Sequence, residues 1–201
     1  MAQKHKNSVV RRRQIINAAR KLIIKRGSEH ITVREIAKAV GITEGDIYRH
    51  FKSKKDILYL LVEDIEDTWV GEITRANDKD DSLLEVIDNV LREHISAIER
   101  RRGASFQVIA EIISLGDVRL NKKVSEVMNK YIGCLADLLS RGVKSGEIRE
   151  DVNLEAAATV LFGIIQGLVN IWALNNYGFD PQEKYESLWH IFREAIAKRQ
   201  N

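Results

Sequence analysis

Between Gly41 and Lys55 the sequence reads GITEGDIYRHFKSKK. Apolar residues that can pack inward leave Thr43, Glu44, Gly45, Tyr48, Arg49, His50, Lys52, Lys54 and Lys55 on the outside. Hydroxyls, an imidazole, ammonium groups and a guanidinium are the side chains that meet phosphates and base edges. Arg49 carries a planar fork that matches guanine O6 and N7. Two acids sit oddly in this company, Glu44 and Asp46. Asp46 lies three residues after Thr43, the spacing at which it returns a hydrogen bond to the Thr43 backbone. Both acids also fall in a first helical turn, where carboxylates favour the helix dipole. Asp46 is therefore expected to be a cap, which leaves the helix dipole as the plainer role of Glu44.

The elements that position these residues are short helices. Thr32 followed by Glu35, Thr43 by Asp46 and Ser53 by Asp56 are three Ser/Thr-x-x-acid signals, each opening a helix. Gly41 supplies the left-handed backbone that a tight turn needs. Ile36, Ala37, Ile42, Ile47 and Phe51 form the small core of a helix-turn-helix. Thr32 stands at a helix start, where unpaired N–H groups and a hydroxyl suit phosphate. The plainer roles are packing of Tyr48 on the first helix and capping by His50.

Around this motif the periodicity predicts an all-α chain of about nine helices. Residues 1–10 read as a polar arm, and a helix follows from Arg11 to a stop at Gly27. Longer helices are expected over 54–75, 82–101, 104–115, 118–141, 154–176 and 181–199, the last opened by Asp180 and Pro181. The chain divides as 1–52, a three-helix domain that contains the helix-turn-helix, and 53–201, a larger helical domain.

Charge follows the same division. Residues 1–60 hold 15 Lys and Arg against 5 Asp and Glu, net +10, and residues 61–201 hold 17 against 24, net −7. A basic end on an acidic body suits a polyanion partner, and a solvated lysine-rich surface is the alternative. Lys4, Lys6, Arg11, Arg12 and Arg13 form a basic run, either a phosphate-binding arm or a tail. One cysteine, Cys134, excludes an intrachain disulfide, and the first residues contain no apolar signal region. Both point to the cytoplasm. Ala156–Phe179 is free of charge and contains Gly163-x-x-x-Gly167, a membrane-dimer pattern. Thr159, Gln166, Asn170, Asn175 and Asn176 interrupt it and no basic cluster flanks it, so a core or interface helix is preferred to a membrane span.

Residues 31–58, ITVREIAKAVGITEGDIYRHFKSKKDIL, resemble the DNA-binding segment of the TetR/AcrR family of bacterial transcriptional regulators. The likeness runs from Arg11 to about Leu61, with Ala37, Gly41, Tyr48, His50, Phe51 and Lys54 at the family's spacing. Residues 146–168 are similar to the start of the family's dimerisation helix. The resemblance implies a homodimer on double-stranded DNA, a small-molecule effector in the C-terminal domain, and release of a palindromic operator when the effector binds. It implies phosphate contacts for Tyr48, His50 and Lys54. Thr43, Glu44, Gly45 and Arg49 are then the candidates for base edges or groove shape. Glu44 and Asp46 depart from the commoner pattern of basic or small polar residues. Glu44 is therefore expected to set sequence preference, by accepting from a cytosine N4 or by repelling wrong sites.

In the C-terminal part, Trp69, His94, Phe106, Met128, Tyr131 and Trp172 are the candidates for lining a mostly apolar effector pocket. His94 is alternatively an interface or surface histidine. Glu111 shares a helical stripe with Gln107 and Ser114, which reads as solvent-facing. Gly163, Gly167, Trp172, Trp189 and Phe192 are the candidates for a dimer interface built as a four-helix bundle. No cofactor or metal is implied. The histidines at 5, 30, 50, 94 and 190 show no metal spacing, Cys134 has no partner for nucleophilic chemistry, and no glycine-rich phosphate loop occurs, so an enzyme is not expected. A DNA-binding regulator or architectural protein without an effector is the alternative. A redox sensor built on Cys134 is disfavoured, because that helix position reads as buried.

Overall fold

The structure, a computed structural model, describes residues 2–26, 32–74 and 82–198, with the side chains at 2–9 and 72 outside that description. Among these residues nine helices occur: α1 (Ala2–Arg26), α2 (Val33–Val40), α3 (Glu44–Tyr48), α4 (Lys54–Thr74), α5 (Leu83–Arg100), α6 (Ala104–Leu115), α7 (Val118–Lys144), α8 (Leu154–Leu174) and α9 (Pro181–Ile196). The expected polar arm is instead helical from Ala2, since nothing in AQKHKNSVV breaks a helix. The expected stop at Gly27, and the side chains of Lys4 and Lys6, lie outside the described residues. Most other ends fall within three residues of their sequence signals, because caps and glycines set them.

The helices form two compact units that do not follow chain order. The first comprises Met1–Ile65 and Ala104–Ser125, and the second Glu66–Gly103 and Glu126–Asn201. The expected division at residue 52 falls within the first of these units. α4 and α7 each contribute to both units, and α6 joins the first because it packs on α1. The first unit buries Ile15, Ala19 and Ile23 of α1, Ile36 and Ala37 of α2, Ile47 of α3, then Phe51 and Ile57. In the second, α9 packs on both α5 and α8.

Two glycines in the second unit have steric reasons. Gly103 has φ +65°, and Gly142 lies so close to Ile148 that an added Cβ would meet its Cδ1 at 2.5 Å. α8 is long and apolar enough to cross a membrane by length and composition, yet eight of its residues, among them Leu161, Ile165 and Leu168, are buried in the fold.

Candidate nucleic-acid interface and effector region

Thr32 and Thr43 both close complete capping boxes. The Glu35 N–H donates to the Thr32 hydroxyl at 3.1 Å, and the Thr32 N–H donates to the Glu35 carboxylate at 3.3 Å. The Asp46 N–H likewise donates to the Thr43 hydroxyl at 3.1 Å, and the Thr43 N–H donates to Asp46 Oδ2 at 3.1 Å. Such caps are each worth about 1 kcal/mol, a large share for helices of eight and five residues. Between them Gly41 adopts φ 74°, ψ 37°, and the Ile42 N–H donates to the Ala37 carbonyl at 3.0 Å. The third signal works differently. Asp56 accepts from the Lys52 backbone N–H at 2.8 Å rather than from that of Ser53.

With Ile47 and Phe51 buried, the opposite face of α3 is presented to solvent. Thr43, Glu44, Gly45, Tyr48 and Arg49 are exposed there, His50 is half-buried, and Thr32 is exposed at the start of α2. Tyr48 is 52% exposed, so about half of its side chain is open to solvent. Asp46 does more than cap. Its Oδ1 accepts from Arg49 Nη1 at 2.9 Å. The Thr43 hydroxyl and backbone N–H, with lesser help from the Arg49 and Arg11 charges, hold the Asp46 carboxyl below its ordinary range against an opposing desolvation effect. From α1, the Arg12 guanidinium sits 5.4 Å over the Phe51 ring, and Arg11 is held by Gln14.

Lys54, expected on phosphate, is engaged from within the protein. Its ammonium lies 2.6 Å from Glu111 Oε1, and the Glu111 side chain is only 11% exposed. Glu111 therefore does not face solvent as its stripe suggested. The pairing with Lys54 across α4 and α6 is what allows a carboxylate to sit there. Lys55 pairs with Asp117 at 2.7 Å, and Arg119 stacks 4.6 Å from the Tyr59 ring. Sequence spacing reveals none of these partners, because they are far apart in the chain.

None of the clefts described among these residues is lined by the expected effector residues. Trp69, His94 and Tyr131 come together with Phe162, which sequence reasoning missed. Their ring centroids lie 5.3 Å apart for His94 and Tyr131, 5.4 Å for Trp69 and Tyr131, and 5.9 Å for Tyr131 and Phe162. These rings pack on one another as a cluster. His94 is 2% exposed and belongs to this core, not to a surface. Its position, between Leu91 and Ile98 on the apolar stripe of α5, was the available signal. Trp172 packs on Tyr177, Met128 is half-buried on α7, and Phe106 is in the core of the first unit. The second unit does contain an open cleft of about 1000 Å³, lined by Asn89, Arg92, Ser96, Arg100, Arg101 and Gln182 with Asp67 and Glu93. Its wall is fixed by the Gln182 amide, which donates to the Arg92 carbonyl and the Ser96 hydroxyl, both at 2.8 Å.

The expected interface residues also separate. Trp172, Trp189 and Phe192 turn inward and are buried, which corrects their reading as surface aromatics. Gly163 and Gly167 look onto open space, where an added Cβ would meet nothing within 4 Å. Beside them Val160, Ile171 and Leu174 of α8, and Ile191 of α9, are exposed. Cys134 is partly exposed, not buried, and desolvation followed by the Asp137 charge raises its thiol pKa. That lowers the thiolate fraction on which redox sensing depends.

The model of the bacterial regulatory proteins of the tetR family matches residues 15–59, and that of the YsiA-like protein C-terminal region matches residues 55–195. The chain belongs to the TetR family. This TetR-family chain is 28% identical over 186 residues to the fatty acid metabolism regulator protein of Bacillus subtilis, covering 92% of the chain and 95% of that protein. It is 27% identical over 188 residues to the nucleoid occlusion factor SlmA of Vibrio vulnificus, with 92% and 95% covered. Among solved structures it is similar to the transcriptional regulator FadR of Bacillus subtilis in complex with stearoyl-CoA. There the TM-score is 0.75 and the identity 27%, over 89% of this chain and 96% of that one. A TetR-family regulator binds DNA through its helix-turn-helix, here α2 and α3, and its relatives are regulators rather than enzymes.

Proposed function

We propose that the chain acts as a homodimeric repressor on a palindromic operator, released by an acyl thioester of coenzyme A. In this reading α3 enters the major groove, with Tyr48 and His50 toward phosphates and Thr43, Glu44, Gly45 and Arg49 toward bases, while the Lys54 ammonium stays paired with Glu111. Two such helices on a twofold would read half-sites ~34–36 Å apart. The observation that carries the effector assignment is the cleft of the second unit. Arg92, Arg100 and Arg101 give it cationic donors for a phosphate-bearing group, and at about 1000 Å³ it is large enough for one. The similarity to a regulator bound to stearoyl-CoA supports the same ligand class.

A second reading has its own observation. The rings of Trp69, His94, Tyr131 and Phe162 pack on one another with centroids 5.3–6.1 Å apart, an arrangement that suits a DNA-binding protein without an effector. The two separate in one experiment. The operator is first selected from random duplex DNA, and the protein is then titrated with stearoyl-CoA, free coenzyme A and stearate. At saturation near 100 times Kd, stearoyl-CoA is expected to raise Tm by about 5–10 °C and to release the operator. If no acyl thioester moves Tm or operator affinity, the effector-free reading takes its place.

A further inference from the structure

The single carboxylate of Asp46 serves two partners at once. Oδ2 accepts from the Thr43 backbone at 3.1 Å and from the Thr43 hydroxyl at 2.7 Å, which completes the cap of α3. Oδ1 accepts from Arg49 Nη1 at 2.9 Å, one helical turn on. Arg49 is otherwise open, with 79% of its side chain exposed. We propose that Asp46 is a specificity-determining positioning residue, which holds the Arg49 guanidinium in the orientation that reads a base pair.

The chemistry follows from the fork of the guanidinium. Engaging Nη1 with Asp46 leaves the Nε and Nη2 edge, whose parallel N–H groups match guanine O6 and N7. An exposed arginine samples many rotamers, and ordering it on binding costs affinity. An anchor that is itself fixed by a cap removes part of that cost. In water such a pair is weak. Inside a groove, where solvent is displaced, the same contact is stronger and also restricts which base edges the fork can face. Asp46 thereby links the fold of α3 to its sequence preference, and an acid in the first turn becomes part of the reading apparatus instead of an obstacle to it. The proposal rests on the reading that α3 enters the major groove.

The test separates the cap from the anchor. In D46N the amide oxygen can still accept from Thr43, whereas the amide nitrogen is a donor and cannot hold Arg49. Wild type, R49A, D46N and the double variant are each put through selection on randomised duplexes, with affinity for a random-sequence duplex measured in parallel. R49A and D46N are expected to flatten preference at the same base pair, each by about tenfold, and the double variant to add nothing. Affinity of D46N for the random duplex should not fall, since a negative charge is removed. Circular dichroism reports whether α3 and its unit are folded, and D46S, whose hydroxyl can also accept from the Thr43 N–H, replaces D46N if that variant unfolds. Unchanged preference in D46N at the position that R49A flattens would overturn the proposal. So would effects that multiply independently, or an R49A variant with wild-type preference. A wild-type protein that binds DNA but selects no motif overturns the operator reading beneath it, which is a separate result.

Discussion

Glu44 stands apart from its neighbours on α3. Asp46 is committed to Thr43 and Arg49, whereas Glu44 is exposed on the face that Tyr48 and Arg49 share. A carboxylate there faces a polyanion, so it costs affinity wherever it finds no donor, and the amino group of cytosine is the donor that would satisfy it. Glu44→Ala is therefore expected to relax preference at one base pair and to raise affinity for unrelated duplexes, with Tm unchanged within about 1 °C. Selection on randomised operators, with melting measured alongside, checks this. An unchanged motif would leave Glu44 as a favourable charge at the helix dipole and nothing more. The exposure of these residues was legible in the sequence, because Ile47 and Phe51 fix which side of a five-residue helix turns inward. The tie between Asp46 and Arg49 was not drawn from it. The capping spacing uses only one carboxylate oxygen, and nothing in the motif says where the second one points.

At the scale of elements, most helices have a local cause, but α5 is capped from a distance. Ser82 makes no side-chain cap bond of its own. Glu147, from the turn after α7, accepts from the Ser82 hydroxyl and from the Leu83 N–H at 2.9 Å, and a third donor, the Ser145 hydroxyl, lies at 2.9 Å. Partial burial pushes the Glu147 carboxyl up. The bonds from Ser82, the Leu83 backbone, Ser145 and the Leu84 backbone outweigh that and bring it below its ordinary value. A depressed folded-state pKa means that the stabilisation is complete above the unfolded value of about 4.3 and is lost as the pH falls through the folded one. Glu147→Ala should cost about 1 kcal/mol at pH 7, as loss of a cap does. Its Tm deficit against wild type should shrink below about pH 4. A deficit that stays constant from pH 7 to pH 3 would contradict this role. Distant contacts of this kind are why helix ends could be read from the chain while the division into units could not. Lys54 with Glu111, and Lys55 with Asp117, tie the start of α4 to α6 and to the turn before α7. No periodicity encodes which stripe on one helix meets which on another.

For the whole molecule, α8 shows where pattern reading fails and what replaces it. A helix that is apolar all round has no polar face to mark the outside. Its Trp172 was therefore assigned to an interface, although that side chain is core. The structure shows which face of it is exposed. Val160, Gly167 and Leu174 repeat every seven residues, with Ile164 and Ile171 between them, and this seam is the one left uncovered by α9. Leu174 is 83% exposed, Ile171 56% and Val160 52%, a run of apolar surface that water disfavours. At Gly163 and Gly167 the absence of a side chain, with open space beyond, lets a second helix approach closely. A second copy of the same seam would make an isologous pair about a twofold axis. Ile171→Glu combined with Leu174→Glu should then convert the dimer to a monomer in sedimentation. Both side chains are exposed within the protomer, so its helical content should be preserved. Operator affinity should fall by about 100-fold or more, because each half-site is then bound without the effective concentration that the linked partner supplies. A double variant that still sediments as a dimer would move the interface off this seam. A monomer that binds the full operator as tightly as wild type would remove the need for a dimer in reading DNA.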